Sequence, residues 1–206
     1  MAHVFPKHLA QPDGRIKWHE KEIRQFDTLI LTLPFLKGRA VAIDGGAYVG
    51  TWTWVMAHEF ARVVAFEPTP SSYQFLVQNM QRFPHVECLQ LGLGNKIGKG
   101  SLIKPKGMLV TNQVKMADDG EVSVVTIDSL RLPACNLIKL DLNGGDTLAL
   151  YGAEQTLRAY HPVVIVEEKN MGPAFAGTPE SGTYEFMMKL GYCLKRIIRP
   201  DHIYIF

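Results

Sequence analysis

The chain is poor in the features that most directly announce a function. It has three cysteines, Cys88, Cys135 and Cys193, an odd and widely spaced set without a CxxC pair. That excludes a disulfide framework and a zinc knot, and it points to a reducing, cytoplasmic setting. The longest apolar run, "TLILTLPFL", is broken by Pro34. It falls far short of the roughly 20 residues needed to cross a bilayer. The opening "MAHVFPKHLAQPDGR" lacks the apolar centre of a secretory signal. Neither sign of charge dominates: 22 basic against 20 acidic side chains leave a net charge of +2. Nucleic acid and membrane surfaces are therefore not expected as partners. Internal repeats and low-complexity tracts are missing too, and the histidines have no partners at metal-ligand spacing, so no metal is expected.

What is there is an ordinary globular composition, 47% apolar and 20% charged over 206 residues. That is enough for one well-buried domain and too little for two. Residues 1–17 carry two prolines and a "PDG" turn and read as an irregular lead-in. "WHEKEIRQFDTLILTL" spaces Ile23, Phe26, Leu29, Ile30 and Leu33 as a helix that Pro34 and Gly38 close. The reading is an N-terminal arm and helix over 1–38, then one domain over 39–206. Strand and helix signals alternate from there: "AVAI", "TWTWVMAHEF", "RVVAFE", "PSSYQFLVQNMQRF", "VECLQLGL", "NLIKLDL", "DTLALYGAEQTLRAY", "VVIVEE" and "PESGTYEFMMKLGY". "CLKRII" and "HIYIF" close the chain around "RPD", too tightly joined to be anything but antiparallel. The stretch 94–133 departs from this rhythm and reads as hairpin or loop material on one edge. The fold class is α/β: an open, mostly parallel sheet of seven strands, helices on both faces, and an antiparallel final strand. Trp52, Trp54 and Phe60 read as core. His161 reads as structural, and the lysine-rich "NKIGKGSLIKPKG" as a solvated loop.

The chemistry is concentrated in "AVAIDGGAYVGTW", residues 40–52. Asp44 ends a strand, Gly46 and Gly50 follow, and a helix opens at Thr51. Glycines there allow a sharp turn and a close ligand, and the helix start adds free N–H groups. A second acid, Glu67, ends the next strand, where it could reach a ribose hydroxyl pair. A nicotinamide dinucleotide is one ligand for such a turn. However, the GxGxxG fingerprint is missing, and an acid at the strand end is unwelcome beside a pyrophosphate. S-adenosylmethionine has a ribose and a cationic amino group but no phosphate, and it suits Asp44 better.

These segments also resemble a known family. "IDGGAYVGTW" looks like the D-x-G-A-N-x-G motif of the FkbM-type methyltransferases, which use S-adenosylmethionine. "VVAFEPTPSSYQFLVQNM" looks like their F-E-P-x-P segment, with the leucine and asparagine of the next helix. "VSVVTIDSL", "NLIKLDLNGGDTLALYGAEQTL" and "HPVVIVEE" resemble three further family segments, in the family's order. The resemblance implies a Rossmann-like methyltransferase acting on a hydroxyl, with a small-molecule or saccharide acceptor. It implies cofactor contacts at Asp44, Gly46, Ala47, Tyr48 and Gly50 for the tail and turn. Glu67 would take the ribose, with Pro68 and Thr69 shaping the adenine side. Gly92 and Leu93, at the end of the third strand, would lie beside the adenine. Asp141 would sit near the transferring methyl, and Asp141 or Glu167 could serve as the base. Three positions depart from the family: Tyr48 stands for its Asn, Asn143 for its Glu, and Asp146 for a second Glu. Two other readings stay open at this point, a non-catalytic S-adenosylmethionine-binding protein and an NAD-dependent oxidoreductase.

Overall fold

The computed structural model describes residues 27–103, 113–168, 179 and 182–206. The lead-in arm over 1–17, the first part of the helix read from "WHEKEIRQF", and Lys104 and Lys106 of the lysine-rich loop lie outside the described residues. Residues 27–32 (α1) are helical. The strand–helix alternation then runs β1 Val41–Gly45, α2 Thr51–Glu59, β2 Arg62–Phe66, α3 Pro70–Met80 and β3 Val86–Leu89. After an excursion, the chain returns as β8 Leu137–Leu140, α4 Asp146–Tyr151, α5 Glu154–Tyr160 and β9 Val163–Glu167. It closes with α6 Gly182–Lys189, β10 Cys193–Ile198 and β11 Asp201–Ile205.

The main sheet has seven strands in the order β10-β11-β9-β8-β1-β2-β3, and β11 is antiparallel to both its neighbours. This is the expected fold. Strand order reverses between β1 and β8, which pair in parallel, so a ligand crevice belongs at their carboxyl ends. Both strands are buried along their whole length, as central parallel strands covered on both faces must be. Ile43, Ile138, Leu140, Val164, Val166 and Tyr204 pack on the α4–α6 side. Ala42, Leu137, Val163, Ile165 and Ile203 pack with Leu29, Trp52 and Phe60 on the α1–α2 side. Trp54 joins Leu76, Met80 and Phe83 between α2 and α3. The three aromatics read as core are core. His161 closes α5 at φ +47° and stacks on Phe206, with ring centroids 3.6 Å apart.

Four segments differ from the reading of the sequence. "VECLQLGL" is two strands: β3 stays in the main sheet, while β4 Gly92–Leu93 pairs with β7 Val122–Val125. Together with β5 Gly98–Ile103 and β6 Gln113–Met116 they form a second, four-stranded sheet from what read as edge material. "DTLALYGAEQTLRAY" is two helices, because the Asp128 carboxylate takes the N–H groups of Gln155 and Thr156 and caps a new helix start. "NLIKLDL" leaves the sheet at Leu140. Asp146 accepts from the N–H groups of Leu142 and Gly144, and these bonds gather 142–146 into a turn. Among the described residues, no helix is long and apolar enough to cross a membrane.

Candidate active site at the glycine turn

The turn after β1 is held from two sides. On one side, the Gly46 and Ala47 N–H groups both donate to the Phe66 carbonyl, at 3.0 and 2.9 Å. The next N–H, of Tyr48, donates to Glu67 Oε2 at 2.9 Å. The Gly50 N–H turns back to the Ala47 carbonyl. On the other side, Lys139 Nζ donates to the carbonyls of Gly45 and Gly46, at 3.3 and 3.1 Å. The Asp141 N–H donates to the Gly45 carbonyl at 3.0 Å. Gly46 has φ +73°, and a Cβ there would lie 2.0 Å from the Asp141 carbonyl oxygen. Only glycine fits this approach between the turn and the end of β8.

Asp44 sits beneath the turn and is fully buried. Its carboxylate accepts from Thr53 Oγ1 at 2.6 Å and from Lys139 Nζ at 3.0 Å. Lys139 is 3% exposed and is the cation of a buried polar layer on the α1–α2 side of the sheet. Burial alone would lower its pKa. The carboxylates of Asp44, Asp141 and Glu167 outweigh that and hold the ammonium above its ordinary value. Glu167 ends β9 on this same side, directly opposite Asp201 on β11, and Asp201 accepts from Thr28. Glu168 turns to the other side of the sheet, where Tyr204 donates to it at 3.0 Å and His202 Nδ1 lies 3.3 Å away. The two glutamates therefore serve different faces rather than a common acidic rim.

Glu67 is the second anchor. Its Oε1 accepts the Thr69 N–H at 2.8 Å while Oε2 holds Tyr48, so one carboxylate ties the glycine turn to the loop that opens α3. Burial pushes this carboxyl above its ordinary pKa, against the pull of those N–H bonds. The Thr69 side chain bonds to it as well, so room for a ligand's hydroxyl remains on part of the carboxylate. Asn79 of α3 donates to the Val49 carbonyl at 2.8 Å and ties the same turn from a third direction.

The structure brings Asp44, Gly46, Ala47, Tyr48, Gly50, Glu67, Pro68 and Thr69 together around the ends of β1 and β2, with Asp141 at the adjoining end of β8. Gly92 and Leu93 are a correction. They do not end the third strand: Leu89 does, and Gln90 and Leu91 follow it at that edge. Leu93 is a core side chain under the turn, against Gly45 and Leu140. Two of the three departures from the family motif share a conformation. Tyr48 and Asn143 have φ +53° and +52°, a left-handed geometry that asparagine tolerates better than tyrosine. Asn143 is a turn residue whose carbonyl accepts from Gln113. Asp146 is 5% exposed and caps its own loop, and burial, with the Asp141 charge, pushes it from 3.8 up to about 6. The contribution that sequence reasoning underweighted is Lys139. The signal was present in "IKLD", a lysine inside an otherwise apolar central strand.

Comparisons with known proteins agree with this geometry. The model of the methyltransferase FkbM domain matches residues 44–196. The chain is 26% identical over 164 residues to the hexuronic acid methyltransferase AglP of Haloferax volcanii, covering 76% of this chain and 68% of that protein. Methyltransferase FkbM from Methylobacillus flagellatus KT superposes with a TM-score of 0.53 at 18% identity, over 82% of this chain. The chain spans 44% of the length of that structure. Precorrin 8w decarboxylase of Methanobacterium thermoautotrophicum superposes with a TM-score of 0.55 at 17% identity, over 98% of this chain and 96% of that one. At these identities the two structures speak to the fold, and the second shows that the fold does not fix a reaction. The family match is of another kind, since it runs from the acid under the glycine turn to the edge strand and spans most of the sequence: the chain belongs to the FkbM methyltransferase family.

Proposed function

We propose that the chain is an S-adenosylmethionine-dependent O-methyltransferase whose acceptor is a sugar or a sugar-bearing metabolite. The observation that carries the cofactor is the fate of the turn's amides. The N–H groups of Gly46, Ala47 and Tyr48 are all spent on the end of β2, and that of Gly50 on the turn itself. A pyrophosphate requires such donors free, as the phosphate-binding glycine loops provide them. A ligand with hydroxyls, a sulfonium and a zwitterionic tail does not. Buried Glu67 suits the ribose hydroxyls, and the Gly46 approach leaves backbone rather than side chain beneath the tail. The sugar class draws support from the relative named as a hexuronic acid methyltransferase.

The cofactor, when bound, supplies a methyl on a sulfonium that is open to in-line displacement by a hydroxyl oxygen. The protein's part is then alignment, exclusion of water and a place for the hydroxyl proton. Asp141 suits that last role. It is half-buried, follows the last residue of β8, and stands beside the turn. Glu167 is 6% exposed and belongs to the Lys139 layer, so its contribution is to the field around Asp141.

The test is a melting experiment with S-adenosylhomocysteine and NAD. A ligand held at 100 times its dissociation constant adds about 2.7 kcal/mol. For a domain of this size that is roughly 5–11 °C. S-adenosylhomocysteine should give this shift, and NAD should not. A shift with NAD alone would refute the proposal.

A further inference from the structure

We propose that Lys139 is the positioning residue for the amino-acid end of the cofactor, an assignment that rests on the S-adenosylmethionine reading above. Lysine has three N–H donors. Here they meet Asp44 Oδ1, the Gly45 carbonyl and the Gly46 carbonyl. Those carbonyls belong to the two peptide planes whose N–H groups, of Gly46 and Ala47, bind the Phe66 carbonyl. Each plane is thus gripped at both edges, by β8 through Lys139 and by β2 through Phe66. Lys139 is too deeply buried to touch a ligand and acts through the turn it holds.

Charge gives the same residue a second effect on the same end. Asp44, Asp141 and Glu167 all act on the Lys139 ammonium. An amino-acid tail is a zwitterion. Carboxylates without a cation among them would repel the tail's own carboxylate and drag its ammonium out of line. The ribose falls to Glu67, which Thr69 fixes from the α3 side and on which the Lys139 charge is the smallest of the influences. Loss of Lys139 therefore weakens the amino-acid half of the ligand more than the adenosine half.

The decisive variant is Asp44→Asn/Lys139→Met, which removes the pair together and leaves no unpaired buried charge from it. The probes are S-adenosylhomocysteine and 5′-methylthioadenosine, which keeps the adenosine and the sulfur but has no amino-acid end. Calorimetry should show the S-adenosylhomocysteine dissociation constant raised about tenfold or more. The methylthioadenosine constant should change far less. Equal losses for both probes, or no loss for either, overturn the assignment. If the wild-type protein itself binds no S-adenosylhomocysteine, the cofactor reading fails first and this inference falls with it. A second measurement needs no substitution. In wild-type protein labelled with 15N-lysine, the protected Lys139 ammonium signal should move with S-adenosylhomocysteine and stay in place with methylthioadenosine. The same response to both overturns the assignment as well.

Discussion

Glu67→Gln is the substitution whose consequences the geometry constrains most tightly. The two oxygens of Glu67 each accept one backbone N–H, from Thr69 at 2.8 Å and from Tyr48 at 2.9 Å. Glutamine has one oxygen and one NH2 group. Whichever way the amide is turned, a donor faces a donor. One buried N–H then loses its acceptor, at a cost of about 1–3 kcal/mol. In a domain of this size that lowers the melting temperature by roughly 2–12 °C. Part of the loss is returned at neutral pH, because burial holds the Glu67 pKa above its ordinary value and a neutral amide escapes the cost of ionising there. The sign follows from the raised folded pKa. The protonated acid stabilises the fold, and that contribution is lost as the pH rises through the folded value. The gap between wild type and Glu67→Gln should therefore widen as the pH falls from neutral. Ligand affinity gains no such relief. Charge-assisted bonds to the ribose are worth about 1.5–3 kcal/mol, so S-adenosylhomocysteine should bind roughly 10- to 150-fold more weakly. Calorimetry at pH 7, with a melting curve for each protein, measures both effects. Wild-type affinity in a folded variant would refute the reasoning, since the ribose would then be held elsewhere.

Other substitutions test the rest of the site. Asp141→Asn should cut the methyl-transfer rate by about 10²–10⁴-fold; single-turnover kinetics with a uronic acid or other sugar acceptor measures it, and full activity would leave alignment alone as the mechanism. Asp146, raised from 3.8 to about 6, stabilises the fold in its protonated form and loses that contribution as the pH rises across this window. Relative to Asp146→Asn, wild type should lose about 2 kcal/mol between pH 4 and pH 6 in urea titrations; parallel pH profiles would contradict this. Lys139→Met alone leaves Asp44 charged in the interior and should cost about 3–5 kcal/mol, seen as a fall in the urea midpoint. Gly46→Ala forces a left-handed alanine at about 1–2 kcal/mol before its Cβ meets the Asp141 carbonyl, so stability and S-adenosylhomocysteine affinity should fall together.

The sheet was legible in the sequence because its central strands are apolar on both faces, and "AVAI", "VVAF" and "VVIV" announce themselves without partners. Glu67 and the glycine turn were legible for a related reason: an acid at a strand end and glycines before a helix are local patterns. What sequence reading missed depends on contacts between distant residues. Gln90 and Leu91 separate two strands because Leu93 is needed in the core under Gly45. Asp128 splits one apparent helix into two from 28 residues upstream. Asp146 ends β8 early by collecting N–H groups that a longer strand would have given to its neighbours. Asp44 shows how such a contact changes the chemistry. Read along the chain, it is a bare carboxylate suited to an ammonium. In the fold, Thr53 and Lys139 already occupy it, 9 and 95 residues away in sequence. The acid therefore works as the foot of the turn, and any attraction for a cationic tail must come from the whole layer of carboxylates around Lys139. Asn143 shapes a turn and Asp146 caps a loop. The acids that the turn and the β8 edge rely on, Asp44, Glu67 and Asp141, are all present.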